Sequence, residues 1–92
     1  MIEMKNPYLE VTFRNGRPIA AYLYLPRAFR EKSYRTTRGG AGMMIDYGKS
    51  GKPIGIEITA PTKVTVVRLN QVLEKLGLPP VNNHELAPLR AA

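Results

Sequence analysis

The chain has 92 residues, 14 Lys and Arg against 7 Asp and Glu, a formal net charge of +7 and no cysteine. That length supports one domain with a modest core. The missing thiols exclude a disulfide scaffold, a zinc-thiolate site and a cysteine nucleophile, and they suit a reducing, cytoplasmic setting. No apolar run reaches the roughly 18 residues of a membrane span, and the first residues do not resemble a signal peptide, so no membrane association is expected.

Residues 1–6 read as a short lead-in, and Pro7 delays strand pairing to about Tyr8. Leu9, Val11 and Phe13 then alternate with polar neighbours, and Ile19, Ala21, Leu23 and Leu25 repeat the alternation after Asn15-Gly16. Two half-buried strands follow from that period of two. Asn-Gly favours a two-residue type I′ turn, which by itself would set Val11 opposite Ala20 and put the two apolar sets on opposite faces. The pattern therefore predicts a three-residue loop, 14–16, with Gly16 left-handed in a bulge, Val11 opposite Ile19 and Leu9 opposite Ala21.

Pro26 closes the second strand, and residues 26–41 show neither helical nor strand periodicity. They are expected to form a long basic connection. Between Arg14 and Arg38 there are seven basic residues and one acid, Glu31, or +6 of the net +7. A second hairpin follows, with Met43, Ile45 and Tyr47 on one arm and Ile54, Ile56 and Ile58 on the other. A loop at 48–51 would pair Ile45 with Ile54 and Met43 with Ile56, with Met44 facing Gly55 on the outer side. The helix signals are complete: Thr65 as N-cap, Leu69, Val72, Leu73 and Leu76 on one stripe, Gly77 just past the end and Pro79 beyond it. The expected fold is a single α+β domain, 1–92, with two hairpins forming a small antiparallel sheet over 7–60. One helix, 65–77, packs on one face, and a tail, 79–92, supports at most a turn near Asn82 or Asn83.

Catalytic chemistry has little to stand on. His84 has no second histidine or cysteine to complete a metal site. Asp46 and Glu57 lie off register in the expected pairing and read as ordinary solvated charges rather than an acid-base pair. Gly48-Lys49-Ser50-Gly51 leads into a strand, whereas a phosphate loop must lead into a helix N-terminus. The expectation is therefore no enzyme and no cofactor.

Two surfaces are candidates for binding. Tyr8, Tyr22 and Tyr24 share the outer face of the first hairpin, and tyrosine suits protein interfaces. Arg27, Arg30, Lys32, Arg35 and Arg38, interleaved with Phe29 and Tyr34, could contact phosphates and stack on bases. The leading expectation is a cytoplasmic protein-interaction module that forms a homodimer; the alternative is a nucleic-acid binder using the loop 27–38.

The run MMIDYGKSGKPIGIEITAP, preceded by YLEVTF, resembles the small bacterial proteins grouped as the domain of unknown function 2283. The matching positions are Asp46, Gly51, Gly55, Ile56, Glu57 and Ile58, and the likeness extends over about residues 8–60. The turn at Lys49-Ser50 departs from the acidic turn common in that family. The resemblance implies a compact, mostly β protein of uncharacterised activity, some members being suspected as antitoxin-like partners of small toxins, and it carries over no catalytic residues.

Overall fold

The computed structural model describes the backbone at 3–4, 7–28 and 31–90, and side chains at 7–26 and 31–89. Its strands are β1 (Glu3–Met4), β2 (Tyr8–Arg14), β3 (Arg17–Tyr24), β4 (Arg27–Ala28), β5 (Arg35–Gly40), β6 (Met43–Tyr47) and β7 (Pro53–Ile58); one α-helix, α1, spans Val66–Lys75. Five strands form one antiparallel sheet in the order β2-β3-β7-β6-β5, and β1 pairs separately with β4. The small α+β architecture follows the sequence pattern, but it is more than two hairpins. β5 comes from the stretch expected to be an irregular connection, and Glu3–Met4 pairs within the segment expected to be a lead-in. β5 escapes the alternation rule because it is a sheet edge reading Arg-Thr-Thr-Arg-Gly-Gly, so little on it needs to be apolar.

Both hairpins keep the expected faces and slip by two residues. In the first, Asn15 and Gly16 both have positive φ, 51° and 76°, which is the two-residue I′ turn. The pairing runs Arg14 to Arg17, Phe13 to Pro18, then Thr12 to Ala20, so Ile19 is an extra residue in β3. That bulge restores the parity that the turn alone would break, and Val11 meets Ala21 instead of Ile19. Turn preference and hydrophobic pattern are thus both satisfied, and the three-residue loop is not used. In the second hairpin Ile45 pairs with Ile56 and Met43 with Ile58, while Tyr47 pairs with Pro53 around an irregularity after Asp46. Gly48 N–H donates to the Lys52 carbonyl at 2.8 Å, so the turn extends one residue further than expected. Gly55 consequently faces Asp46, and Met44 faces Glu57.

One face of the sheet carries Ala21, Leu23, Met43, Ile45, Ile56 and Ile58, which form a single core with Leu69, Val72 and Leu73 of α1. The helix ends behave as the sequence signals require. Thr65 Oγ1 accepts from Arg68 N–H at 3.1 Å, Gly77 takes φ 72°, and Leu78 N–H donates to the Leu73 carbonyl at 2.9 Å in a Schellman closure. The tail is docked: Val81, Leu86 and Leu89 are buried in the same core, and the 3-10 turn Ala87–Arg90 packs against β3. Asn70 holds it in place by accepting from Val81 N–H at 2.8 Å and donating to the Val81 carbonyl at 2.9 Å. Asn82 and Glu85 exchange side-chain to backbone bonds at the start of the turn, like a capping box.

Replacing Asn70 with Ala strands the backbone N–H and C=O of Val81, which costs about 1–3 kcal/mol. Urea unfolding should show a lower midpoint, and limited proteolysis should cut first near Val81. An unchanged midpoint would mean that Leu86 and Leu89 dock the tail without help.

Candidate outer-face interaction site

Among the described residues the helix and tail cover one side of the sheet only. On the other side alternation places Tyr8, Glu10 and Thr12 from β2, Tyr22 and Tyr24 from β3, Gly55 and Glu57 from β7, Met44 and Asp46 from β6, and Thr36 and Arg38 from β5. The three tyrosines singled out in the sequence come together there. The rings of Tyr8 and Tyr24 stack at 5.1 Å, and Tyr22 meets Tyr24 edge-on at 4.6 Å. Glu10 lies within 3.5 Å of the hydroxyls of both Tyr8 and Tyr24.

At the centre of this face sits a buried carboxylate. Asp46 is only 6% exposed, so it is not the solvated charge its sequence context suggested. Tyr22 Oη donates to its Oδ2 at 2.8 Å, and Thr36 Oγ1 donates to its Oδ1 at 2.6 Å. Gly55 makes this possible, because Tyr22 crosses β7 to reach Asp46 and any β-carbon at position 55 would overlap the Tyr22 ring. The residue expected to make room for Met44 makes room for Tyr22 instead. Asp46 and Glu57 are also neighbours, contrary to the expected register: their paired positions, Gly55 and Met44, place them diagonally across adjacent strands. Burial pushes the Glu57 carboxyl above its ordinary value, and the charge of Asp46 together with a hydrogen bond from the protonated Glu57 to Asp46 pushes it further the same way.

The basic residues of the other candidate surface are not gathered. Arg38 lies on the outer face opposite Met44, whereas Arg35 pairs with Tyr47 and stacks over its ring at 4.3 Å on the helix side. Lys32 and Tyr34 are exposed between the strands, Arg27 lends its backbone to β4, and Phe29 and Arg30 lie outside the described residues. Thr36 was not recognisable as a site residue, because its role depends on β5 being a strand. His84 is exposed, and among the described residues no group of three or more potential ligands could hold a metal ion. An apolar cleft of about 290 Å³ lies between the end of β3 and the tail, and among the described residues Glu85 is the one charged residue that lines it. Among the described residues no helix is long and apolar enough to cross a membrane.

No known protein family matches the chain, and no characterised protein or solved structure does either. The positions that carry the sequence resemblance have structural work on this face and beneath it. Ile56 and Ile58 fill the core, Gly55 seats Tyr22, and Asp46 and Glu57 form the polar centre.

The raised Glu57 carboxyl gives a pH signature. A carboxyl bound more tightly to its proton in the folded state stabilises the protein fully below the unfolded value, and that stabilisation is lost as pH rises through the folded value. Glu57→Gln keeps a hydrogen-bond donor toward Asp46 and removes the repelling charge. Thermal melts across pH should therefore show the variant more stable than the parent at neutral pH, with the difference shrinking as pH falls toward 4.5. A constant difference across that range would show that Glu57 does not feel Asp46.

Proposed function

We propose that the chain is a non-enzymatic protein-interaction module that meets its partner with the outer face of the sheet. The observation that carries this reading is a stacked tyrosine group beside Glu10, Asp46 and Glu57 on a face that neither helix nor tail covers. Aromatic rings supply contact area at small entropic cost, and carboxylates among them favour a protein segment bearing Arg or Lys. Three of the seven acids of a strongly basic chain stand on this one face, with Arg38 at its β5 side, so the tyrosine group lies in a less basic setting than the overall +7 suggests. An antitoxin-like role, which the family resemblance implies for some members, would use the same acidic and aromatic surface. Nucleic-acid binding is the second reading, favoured by the overall charge and opposed by the separation of Arg35 from Arg38 on two sides of β5.

The test places a photo-crosslinking amino acid at Met44, on β6 of the outer face beside Glu57, and as a control at Val67, which is exposed on the helix. In host cells Met44 should give a discrete adduct that Tyr8→Ala with Tyr24→Ala abolishes, and Val67 should give none. Equal labelling from both positions, or none from Met44, overturns the reading. Binding of labelled single-stranded RNA or DNA that weakens steeply with added salt would favour the second reading instead.

A further inference from the structure

The two ends of the five-stranded sheet are built differently, and the difference points to a partner. β5, at one end, carries Arg35 and Arg38 on a six-residue strand with a register break between Arg38 and Gly40. Charge and irregularity of this kind discourage pairing with another strand. β2, at the other end, is seven residues long, contains no proline or glycine, and carries one charge inside it, Glu10, with Arg14 at its turn end.

The free backbone groups of β2 can be assigned by alternation. The I′ turn is closed by a bond between Arg14 and Arg17, so Arg14 points into the sheet and Thr12, Glu10 and Tyr8 do likewise. The N–H and C=O groups of Leu9, Val11 and Phe13 therefore point outward. Two observations agree. Pro18, which has no N–H, sits opposite Phe13, where none is needed, and Leu25 N–H donates to the Ile54 carbonyl at 3.1 Å, so odd-numbered residues of this strand turn toward β7. Among the described residues nothing pairs with the outward groups of β2. Phe13, on the core side of that strand, is 46% exposed beyond the end of the core, and Leu9 and Val11 are only partly buried.

We propose that β2 pairs antiparallel with β2 of a second copy, joining two sheets into one of ten strands. Outward groups must meet outward groups, which leaves three symmetric registers, centred on residue 10, 11 or 12. Centring on residue 10 sets Glu10 against Glu10 of the partner subunit, a destabilising like-charge pair. Centring on residue 12 leaves Tyr8 and Leu9 opposite the turn. Centring on Val11 uses all seven residues. On the core side Leu9 faces the partner's Phe13, which covers the exposed ring. On the outer side Tyr8 faces the partner's Arg14 and Glu10 faces the partner's Thr12, with no like charges directly opposed. The two tyrosine faces then lie side by side on one surface, which deepens the interaction reading above while standing on separate observations.

The chain has no cysteine, so one introduced thiol reports the register without interference. Paired Val11 residues would have Cα atoms about 5.5 Å apart, within disulfide range, whereas thiols at 10 or 12 would lie too far from their symmetry mates. Under mild oxidation Val11→Cys should form a disulfide dimer, and Glu10→Cys and Thr12→Cys should not. By light scattering over a dilution series the parent should approach twice its 10.3 kDa mass. Phe13→Glu, at an exposed position, should be monomeric with an unchanged circular-dichroism spectrum, and Val11→Pro should also be monomeric because its N–H serves no bond within the chain. A parent that stays monomeric up to its solubility limit overturns the proposal. So does a dimer that survives both substitutions, or one that crosslinks through position 10 or 12. Loss of the Met44 adduct with an intact Val11→Cys dimer would count against the outer-face reading alone, and the reverse outcome against the pairing alone.

Discussion

A five-stranded sheet has two faces, and this chain has one ten-residue helix with which to cover them. Everything else follows from how that cover is spent. Leu69 and Leu73 close over Ile56 and Ile58 so completely that all four are at most 1% exposed. The helix reaches the β5 end of the sheet, and the β3 side is left to the tail through Val81, Leu86 and Leu89. The docking of the tail therefore belongs to the core, and Asn70 is the polar fastening that supports it. With the chain's apolar material used on one side, the other face must be made of side chains that tolerate water.

That outer face is nonetheless organised. A buried carboxylate is costly unless hydrogen bonds replace its water, and Asp46 receives them from both sides of its strand. Tyr22 approaches from β3 across the gap left by Gly55, and Thr36 approaches from β5. One carboxylate thus connects four adjacent strands on the side opposite the core and fixes the position of a tyrosine ring in the aromatic group. Glu57, crowded against Asp46, is the point where this arrangement is under electrostatic tension.

Charge is distributed with the same asymmetry. The basic residues that dominate the composition lie between Arg14 and Arg38, yet where their side chains are described they divide among the turn of the first hairpin, the two sides of an edge strand and the exposed segment before it. The acids Glu10, Asp46 and Glu57 collect among the tyrosines. A large net charge is therefore a poor guide to what the open face can bind, because the contact surface has a local character of its own. The unguarded β2 edge adjoins that face, and pairing there would extend it without a change in its chemistry.

The sequence by itself determined which residues turn inward, because alternation is a local property of each strand and one misplaced residue would expose a whole set. It likewise determined the helix, since Thr65, the Leu stripe and Gly77 act within one short segment. Register was beyond it. A slip of two residues leaves every side chain on the same face, so the pattern could not tell Ile45 opposite Ile54 from Ile45 opposite Ile56, nor foresee that a bulge at Ile19 would reconcile an Asn-Gly turn with its flanking strands. The tertiary structure alone made a strand of Arg35–Gly40, because an edge strand draws its order from the neighbour it pairs with and needs no apolar alternation of its own. It also brought Asp46 to Tyr22 and Thr36, an encounter set by strand order across the sheet and not by spacing along the chain.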